Sequence, residues 1–347
     1  MHQERHVHPF QFTGSGGEYF RIWIVNLALS LLTLGIYSAW AKVRRKRYFN
    51  THTLLDGHPF DYLADPVAIL RGRLIAFGLF FVYAVAQRSL PWLSLSLLVL
   101  FFLVTPWLVV RALQFNARNT SHRGLRFDFK GDLGEAIRIF IGWSSLLLLS
   151  LGLLLPYLLY RKTAFIAGNH AYGATQARFE GRARSFYRLF LNAGLVMLAP
   201  VVLIVAGSIF LATMRHAGPV GWPESFAMLG LGVLALFAVV PIVAGYVQAR
   251  VARLTFKGTR FGELRFAGRH SARGLIGLYA SNLLLILLTL GLYTPWARVR
   301  TARYWLDNLA VVGPENGLDG FVAAAGAGVA ATGAEMAEVF DVDLGIA

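Results

Sequence analysis

The polar residues that could do chemistry are few, and most lie where long apolar runs begin or end. Glu18 precedes Arg21 by three positions, and Glu135 and Arg138 repeat this spacing, which makes each pair neighbours on a helix face. A carboxylate and an arginine at membrane depth would be a candidate proton site. Because both pairs stand at the start of an apolar run, we interpret them as structural pairs that cap and anchor a helix.

Three amides within the apolar runs are the candidate intramembrane polar groups: Asn26, Asn192 and Asn282. They could coordinate a solute that crosses the membrane. They could also join helices through hydrogen bonds, which is the commoner role of such residues in membrane proteins. Both interpretations remain open from the sequence.

Motifs for catalysis or metal binding are missing from the sequence. It has no cysteine, which excludes disulfides, thiolate metal sites and cysteine nucleophiles. It also has no H-E-x-x-H, G-x-S-x-G or Walker A pattern. His2, His6 and His8 are scattered, as is typical of an exposed chain end. We therefore predict no catalytic residue, no metal, no cofactor and no enzyme.

Basic and aromatic residues form clusters directly after two of the apolar runs. Lysine and arginine gain about 1 kcal/mol each near an anionic leaflet, while tryptophan and tyrosine are enriched at the membrane interface. General anchoring would explain these clusters, and binding of anionic phospholipid headgroups is the more specific alternative. The candidate headgroup residues are Trp40, Lys42, Arg44, Arg45, Arg47, Tyr48, Trp296, Arg298, Arg300 and Arg303.

The composition indicates that these residues belong to a membrane protein. Of the 347 residues, 56% are hydrophobic and only 15% are charged, whereas a soluble domain carries about a quarter charged residues. Several apolar runs reach the roughly 20 residues that cross a hydrocarbon core. We interpret the net charge of +15 as lysine and arginine at cytoplasmic helix ends rather than as a nucleic-acid surface.

The sequence predicts a mainly α-helical, polytopic membrane protein with about seven apolar segments. They lie at about 20–40, 74–87, 92–110, 137–160, 187–214, 222–247 and 274–296. The first, fourth and seventh belong to an internal repeat at about 10–62, 127–181 and 256–308. A short step in the middle of each copy is predicted to bend the chain: Thr33-Leu34-Gly35, Ser150-Leu151-Gly152 and Thr289-Leu290-Gly291.

The positions of lysine and arginine distinguish two topologies. If all seven segments cross the bilayer, the two sides carry 16 and 17 of these residues, which contradicts the usual excess on the cytoplasmic side. If the three repeat segments enter and leave on one face, the cytoplasm holds 31 and the outside holds 2. We therefore predict four full spans and three re-entrant segments, with seven ordinary spans as the alternative.

Two further patterns lie outside the apolar segments. Aromatic residues alternate around a glycine after four of the segments, which predicts short cytoplasmic β-hairpins. Residues 309–347 contain acidic side chains but no lysine or arginine, so we expect an acidic cytoplasmic tail on a single membrane domain, 1–347. The tail either docks on the basic cytoplasmic face or remains solvated, and both interpretations are open.

Three motifs stand out along the chain, and one of them recurs. The pattern F-x-F-x-G-x-x-x-E begins at Phe10, T-L-G-[IL]-Y-x-x-W begins at Thr33 and again in the last repeat, and F-D-x-D-L-G begins at Phe340. The middle repeat departs from this pattern at Leu154 and Tyr157. Together these motifs resemble the bacterial YjgN-like inner-membrane family, whose function is unknown. The resemblance implies a multi-pass protein of the bacterial inner membrane and brings no activity with it.

Two functions from different classes remain. The first is a passive solute pathway or transporter with a site near Asn26 and Asn282, which is favoured by repeated and broken apolar segments. The second is a non-transporting scaffold that binds anionic lipid or a protein partner through its basic, aromatic cytoplasmic face. The scarcity of charge at membrane depth favours the second. The expected partners are the lipid bilayer and anionic phospholipid, and no nucleic acid.

Overall fold

The computed structural model of the chain describes residues 6–215 and 243–314, together with the single residues 230, 239 and 320. The chain divides into two compact units. The first comprises Met1–Gly181, Thr255–Gly268 and Pro295–Ala347, and the second comprises Arg182–Leu254 and Arg269–Thr294. Each unit is described separately.

Ten short strands of the first unit close into an antiparallel barrel. They are β1 (His6–Phe12), β2 (Thr53–Leu55), β3 (His58–Tyr62), β4 (Thr120–His122), β5 (Leu125–Phe129), β6 (His170–Tyr172), β7 (Thr175–Phe179), β8 (Thr259–Phe261), β9 (Leu264–Gly268) and β10 (Leu309–Gly313). Each strand pairs with the next in chain order, and β1 pairs with β10 from His6–Gly313 to Pro9–Ala310. Residues near the two ends of the described chain therefore close the barrel.

Two-residue turns join β2 to β3, β4 to β5, β6 to β7 and β8 to β9. Asp56-Gly57 and Arg123-Gly124 have positive φ at both positions, as type I′ turns require. In the other two turns, a glycine with positive φ stands at the first position, as in type II′ turns. The four glycine-centred aromatic patterns of the sequence thus form hairpins, and these hairpins assemble into the barrel.

Helices make the long connections between the other strands of this unit. α1 (Gly16–Leu32) and α2 (Ser38–Thr51) link β1 to β2, and α3 (Pro66–Ser89) and α4 (Pro91–Arg118) link β3 to β4. α5 (Leu133–Ile137), a π-helical turn (Arg138–Trp143), α6 (Ser144–Leu149) and α7 (Leu155–Gly168) link β5 to β6. Because each pair of linked strands is hydrogen-bonded, each connection returns to the barrel beside the strand from which it left.

The second unit is helical. It contains α8 (Ala183–Arg215) and α10 (Ala272–Leu288). It also contains residues 243–254 of α9, a helix that is described over 243–258. A Cβ at Gly245 on α9 would lie 3.1 Å from Cγ1 of Ile276 on α10, so the small residue lets the two helices approach closely. Tyr279 of α10 also donates a hydrogen bond to Gln248 of α9, at 2.6 Å. Helix α11 (Thr294–Asp307) precedes β10 and belongs to the first unit beyond Thr294.

Aromatic side chains fill the inside of the barrel. The rings of Phe10 and Phe60 stack 6.1 Å apart, those of Phe60 and Phe127 are 6.2 Å apart, and those of Phe127 and Tyr172 are 4.8 Å apart. The ring of His122 stacks on Phe60 at 4.3 Å. A barrel of ten strands is wider than one of eight, whose interior ordinary side chains just fill. Large rings on the inward positions therefore pack this wider lumen.

The expected fold of about seven apolar helical segments with four full spans is wrong. Among the described residues, two helices, α3 and α4, are long and apolar enough to cross a membrane. Their most apolar windows are 0% and 11% buried, so these side chains do not belong to a protein core. α10 is apolar but has only 17 residues. Most of the predicted segment 222–247 lies outside the described residues.

The difference has two physical causes. The predicted repeat segments look continuous in apolar composition, but each is broken by a bend into helices of at most 17 residues, which are short for a membrane span. The strands have three to seven residues and pair partly with strands far along the chain, which a local pattern does not reveal. Residues 309–313, expected in the acidic tail, likewise form β10 because they pair with β1 and β9.

Candidate functional site

The three predicted bends have the same backbone conformation. At each bend, the leucine has a φ of 49° and the following glycine has a φ between 89° and 93°: Leu34-Gly35, Leu151-Gly152 and Leu290-Gly291. The Thr33 hydroxyl, just before the first of these leucines, donates to the carbonyl of Leu29 at 2.7 Å and accepts from the amide of Tyr37 at 2.9 Å. Thr289 makes the equivalent pair of bonds, and Ser150 accepts from the amide of Leu154 but donates to the carbonyl of Leu147, three residues back. A hydroxyl at this position thus satisfies backbone groups on both sides of the bend.

Apolar side chains at the bends are exposed. Leu34 is 96% exposed, and Leu151 and Leu290 are each 94% exposed. Their neighbours on both sides are also exposed, including Leu31, Leu32, Ile36, Leu148, Leu149, Leu153, Leu287, Leu288 and Leu292. Patches of contiguous exposed apolar residues mark contact with a membrane or another protein. We refer to these three exposed bends as the hairpin tips.

Four cationic residues lie together near the first hairpin tip, and we refer to them as the cation cluster: Lys42, Arg45, Lys46 and Arg73. The three on α2 share a helix face through their i, i+3 and i+4 spacing. Arg73 of α3 donates a hydrogen bond to the Ser38 hydroxyl, one turn before Lys42. Lys46 donates to Asn116 of α4 and lies 4.7 Å from the centroid of the Tyr62 ring. Residues from two helices thus assemble the cluster beside β3, and Asn116 of α4 contacts it.

The cation cluster has no counter-charge in the described part of the chain, where none of its members forms an ion pair with a carboxylate. Burial lowers the pKa of Lys42, and the nearby Arg73 and Arg45 lower it further. Burial likewise lowers the pKa of Lys46, followed by the effects of Lys42 and Arg45. All four side chains are half-buried. The arrangement is a positive, partly desolvated site that an anion would stabilise.

The other headgroup candidates on α2 are placed differently. Arg44 is exposed, and exposed Arg47 donates to the carbonyl of Tyr62 at 3.4 Å. Trp40 is half-buried and packs against the hydrophobic cluster that contains Ala39, Val43 and Tyr62. Tyr48 is buried, and its hydroxyl donates to the carbonyl of Ser15 at 3.0 Å. The Tyr48 ring therefore lies inside the protein and not at its surface. Burial raises the pKa of Tyr48.

The candidates on α11 mostly hold the protein together. Arg298 donates to the Tyr19 hydroxyl at 3.1 Å, and Arg303 donates to the carbonyl of Gly14 at 2.9 Å. The indole of Trp296 packs so closely against Gly16 that a Cβ there would lie 2.2 Å from it. Arg300 is half-buried on the same helix. Trp296, Arg298 and Arg303 therefore attach α11 to α1 and to the loop that precedes α1.

The three candidate amides have separate environments. Asn26 on α1 is 7% exposed, and its Oδ1 is buried without a hydrogen-bond partner. Asn282 on α10 is 6% exposed. Asn192 on α8 is exposed, and its Nδ2 donates to the Tyr246 hydroxyl at 3.4 Å. Asn26 belongs to the first compact unit, whereas Asn192 and Asn282 belong to the second.

Two members of the cation cluster, Lys46 and Arg73, and its contact Asn116 are not among the candidate headgroup residues selected from the sequence. Arg73 had a usable signal, since it is the last cation before the apolar run 74–87. Asn116 had none, because only the return of α4 to the barrel brings it beside Lys46. Within the described residues, no three histidine or carboxylate side chains come together as a metal site would require.

The long apolar helices α3 and α4 and the exposed hairpin tips are typical of an integral membrane protein. A family described as "Bacterial protein of unknown function (DUF898)" matches residues 7–339, and the chain belongs to this family. "Inner membrane protein YjgN" of Salmonella typhimurium is 34% identical over 150 residues, which cover 43% of this chain and 38% of that protein. The protein of the same name from Escherichia coli K12 is 32% identical over 128 residues, or 35% of this chain and 31% of its own length.

The matches confirm the family resemblance that the sequence motifs predict, and the relatives' names support a place in the bacterial inner membrane. The chain spans less than two fifths of the length of these two relatives in the matched regions. No solved structure matches the chain.

Proposed function

We propose that the protein is a non-transporting membrane scaffold that holds the phosphate groups of anionic phospholipids at the cation cluster. One observation carries the proposal: Lys42, Arg45, Lys46 and Arg73 are half-buried together without a carboxylate among the described residues. A lipid phosphate would supply the missing negative charge and accept charge-assisted hydrogen bonds.

The position of the cluster along the helices supports a lipid ligand. Arg73 directly precedes the apolar run of α3, and Arg111 directly follows the apolar run of α4, with its guanidinium 5.7 Å from the Trp107 ring. Lys42 lies one turn into α2, so the first hairpin tip extends on the order of 10 Å beyond it. We therefore place the headgroup level of one leaflet at Lys42, Arg73 and Arg111.

This level defines how the hairpin tips would meet the bilayer. Leu34 and its neighbours enter the acyl region of the near leaflet, while Tyr37 and Trp40 occupy the interface that such rings prefer. The tip between α6 and α7 enters in the same way, because its leucines are equally exposed and Lys162 of α7 lies 5.2 Å from the Phe140 ring. In this arrangement the repeat segments are re-entrant, and α3 and α4 provide the crossing.

The test is lipid binding by the full chain in nanodiscs that contain phosphatidylcholine and a rising fraction of phosphatidylglycerol. The variant Lys42→Gln/Arg45→Gln/Arg73→Gln should lose most of its retained phosphatidylglycerol. At roughly 1 kcal/mol per cation, the affinity should fall on the order of a hundredfold. The matched control, Arg126→Gln/Lys130→Gln/Lys257→Gln, removes three exposed cations elsewhere and should bind normally. Equal losses in the two variants would show that only total charge matters, and would contradict the proposal.

A passive solute pathway is the second candidate, and the buried Oδ1 of Asn26 without a partner favours it. A pathway through the barrel is disfavoured because stacked rings fill the lumen. The test is solute flux into proteoliposomes, which compares the wild type with Asn26→Leu and Asn282→Leu combined. Flux that falls in the variant would support a pathway. Flux that is absent, or indifferent to both substitutions, would eliminate it.

A further inference from the structure

Three arginines lie side by side on the outside of the barrel, across β7, β8 and β9. Arg178 is the register partner of Arg260, and Arg260 is the register partner of Arg265. The adjacent positions Ala177, Phe261 and Leu264 face inward, since Leu264 and Phe261 pack in the hydrophobic cluster of the lumen. Because side chains alternate along a strand, the three arginines project from the outer face. We refer to them as the arginine row.

The arginine row carries more positive charge than its surroundings neutralise. Cross-strand neighbours have Cβ atoms about 5 Å apart, and like charges at directly opposite positions destabilise a sheet. Arg260 pairs with Glu180 at 3.0 Å. Arg178 and Arg265 are exposed, and neither forms an ion pair within the part of the chain that the structure describes. Two exposed guanidinium groups therefore lack an acidic partner among the residues that the structure describes.

A cleft of about 960 Å³ adjoins the row. Its lining includes Gln176, Arg178, Glu180 and Arg260, together with the ring of Phe179 and the glycines at 168 and 262. The cleft thus combines guanidinium groups with an aromatic residue at the end of β7. Such a lining suits a peptide that carries both carboxylates and apolar residues better than it suits a free inorganic anion.

The next strand connects this surface to the acidic end of the sequence. Val312 of β10 is the register partner of Arg265. Glu315 follows Val312 by three residues, so its Cα lies within about 10 Å of the Cα of Val312. Residues 315–347 hold Glu315, Asp319, Glu335, Glu338, Asp341 and Asp343, with no lysine or arginine. Phe340 and Leu344 provide apolar groups among these acids.

We infer that the acidic segment 315–347 of the same chain docks on the arginine row, with its carboxylates on Arg178 and Arg265. The segment is covalently tethered beside β9, its charge is opposite to that of the row, and its length is ample to reach across β8, the strand that separates Arg265 from Arg178. Tethering raises the local concentration of the segment to about the millimolar range, so even weak contacts would keep it bound. The inference concerns a different surface from the cation cluster and does not depend on lipid binding there.

The absence of native cysteine makes a direct test practical. Cysteines at Ala267, which is exposed on β9, and at Val342 should form an intramolecular disulfide under mild oxidation of the full chain, seen as a shift in gel mobility. The matched control places the first cysteine at Arg126, exposed on β5 and four strands away. The 267–342 pair should cross-link several times faster than the 126–342 pair. It should fall to the control rate at about 1 M salt, where the Debye length is about 3 Å.

Substitutions identify the groups responsible. Arg178→Gln with Arg265→Gln should reduce the 267–342 cross-link to the control rate. Arg178→Glu with Arg265→Glu should abolish it, and Glu335→Lys, Glu338→Lys, Asp341→Lys and Asp343→Lys should restore it in that background. Equal rates for the two pairs, or rates indifferent to the arginines, would overturn the inference. Loss of phosphatidylglycerol binding in the Gln variant, with the cross-link retained, would assign the row to lipid instead.

Discussion

Leu34 and Leu151 have the same left-handed φ of 49°, although they lie in different copies of the repeat, and both are more than nine-tenths exposed. This backbone region costs a residue with a Cβ about 1–2 kcal/mol. Almost no protein contact offsets that cost, because nothing covers either side chain. Contact between the exposed leucine and lipid would explain why the chain keeps this strained conformation. The first prediction tests the membrane topology that such contact requires.

The first prediction concerns which parts of the chain reach the periplasm. Single cysteines at Ser15, Thr51, Ser89, Thr120, Thr175 and Thr259 can be labelled in intact cells with a membrane-impermeant thiol reagent. If the chain enters and leaves on one face at each of the first two hairpin tips, only position 89, between α3 and α4, should react. Labelling at 51 but not at 15 would show that the first repeat segment crosses the membrane, and would contradict the re-entrant proposal.

The second prediction concerns the depth of the first tip. A fluorophore on Leu34→Cys should be quenched most strongly by lipids labelled in the upper part of the acyl chain, because the tip extends only on the order of 10 Å beyond Lys42. The control is Phe102→Cys, exposed on α4 and nine residues before Arg111, which corresponds to about 14 Å of helix. That label should be quenched best by lipids labelled deep in the acyl chain. Equal depths for the two labels would refute shallow insertion.

The third prediction concerns the glycine of the F-x-G pattern, where strands of the barrel end. A Cβ at Gly131 would lie 2.3 Å from the ring of Phe129 and 2.8 Å from that of Phe165. Both rings are 1% exposed and have little room to move. Gly131→Ala should lower the free energy of unfolding by about 1–3 kcal/mol, as overpacked cores do.

Gly142→Ala is the matched control for this substitution, because a Cβ there meets nothing within 4 Å. It should leave stability unchanged or raise it by up to about 1 kcal/mol through helix propensity. Thermal unfolding in detergent, followed by circular dichroism, compares the two variants. Equal melting temperatures would show that Phe129 and Phe165 yield to the added methyl group.

The fourth prediction separates stability from lipid binding at the cation cluster. Lys42→Met removes one of four neighbouring cations, and burial together with Arg73 and Arg45 already lowers the pKa of Lys42. The variant should be slightly more stable in uncharged detergent, by at most about 1 kcal/mol because solvent screens half-exposed charges. It should also retain less phosphatidylglycerol. A variant that is less stable in both settings would indicate that Lys42 serves only the fold.

The sequence predicts the local elements better than their assembly. The T-L-G bend could be located because a glycine and a hydroxyl residue interrupt an apolar run, and at all three positions a helix ends there. The four hairpins could be located because glycine between alternating aromatics specifies a tight turn. These features depend on a few neighbouring residues, which a sequence displays directly.

The barrel and the cation cluster depend on contacts between distant residues. β1 closes on β10, and Lys46 meets Asn116 only after α3 and α4 have returned to the barrel. The sequence predicted more spans than the described residues contain, because apolar composition alone does not distinguish an exposed hairpin tip from a continuous span. Tyr48 illustrates the same limit, since its position after a basic run predicts an interfacial ring, whereas packing on Tyr19 buries it.

The last prediction concerns the pH dependence of the barrel, through His122. Its side chain is 2% exposed, its ring stacks on Phe60, and its Nε2 is buried without a hydrogen-bond partner. Burial lowers the pKa of His122 to about 4, although the carbonyl of Pro59, 3.3 Å from Nδ1, acts in the opposite direction. The unfolded chain therefore binds this proton first as the pH falls. Folding should lose about 3 kcal/mol between pH about 6.5 and about 4, and stability should be fully retained above that window.

His122→Phe tests this assignment because it keeps a ring against Phe60 but cannot be protonated. The free energy of unfolding, measured by chemical denaturation at a series of pH values, should fall less steeply in this variant than in the wild type. His58→Gln is the control, since His58 is exposed and its replacement should leave the steep fall in place. If the wild type and His122→Phe lose stability in parallel between pH 6.5 and 4, the loss arises from other groups. Protonation of His122 would then not explain the loss of barrel stability in acid.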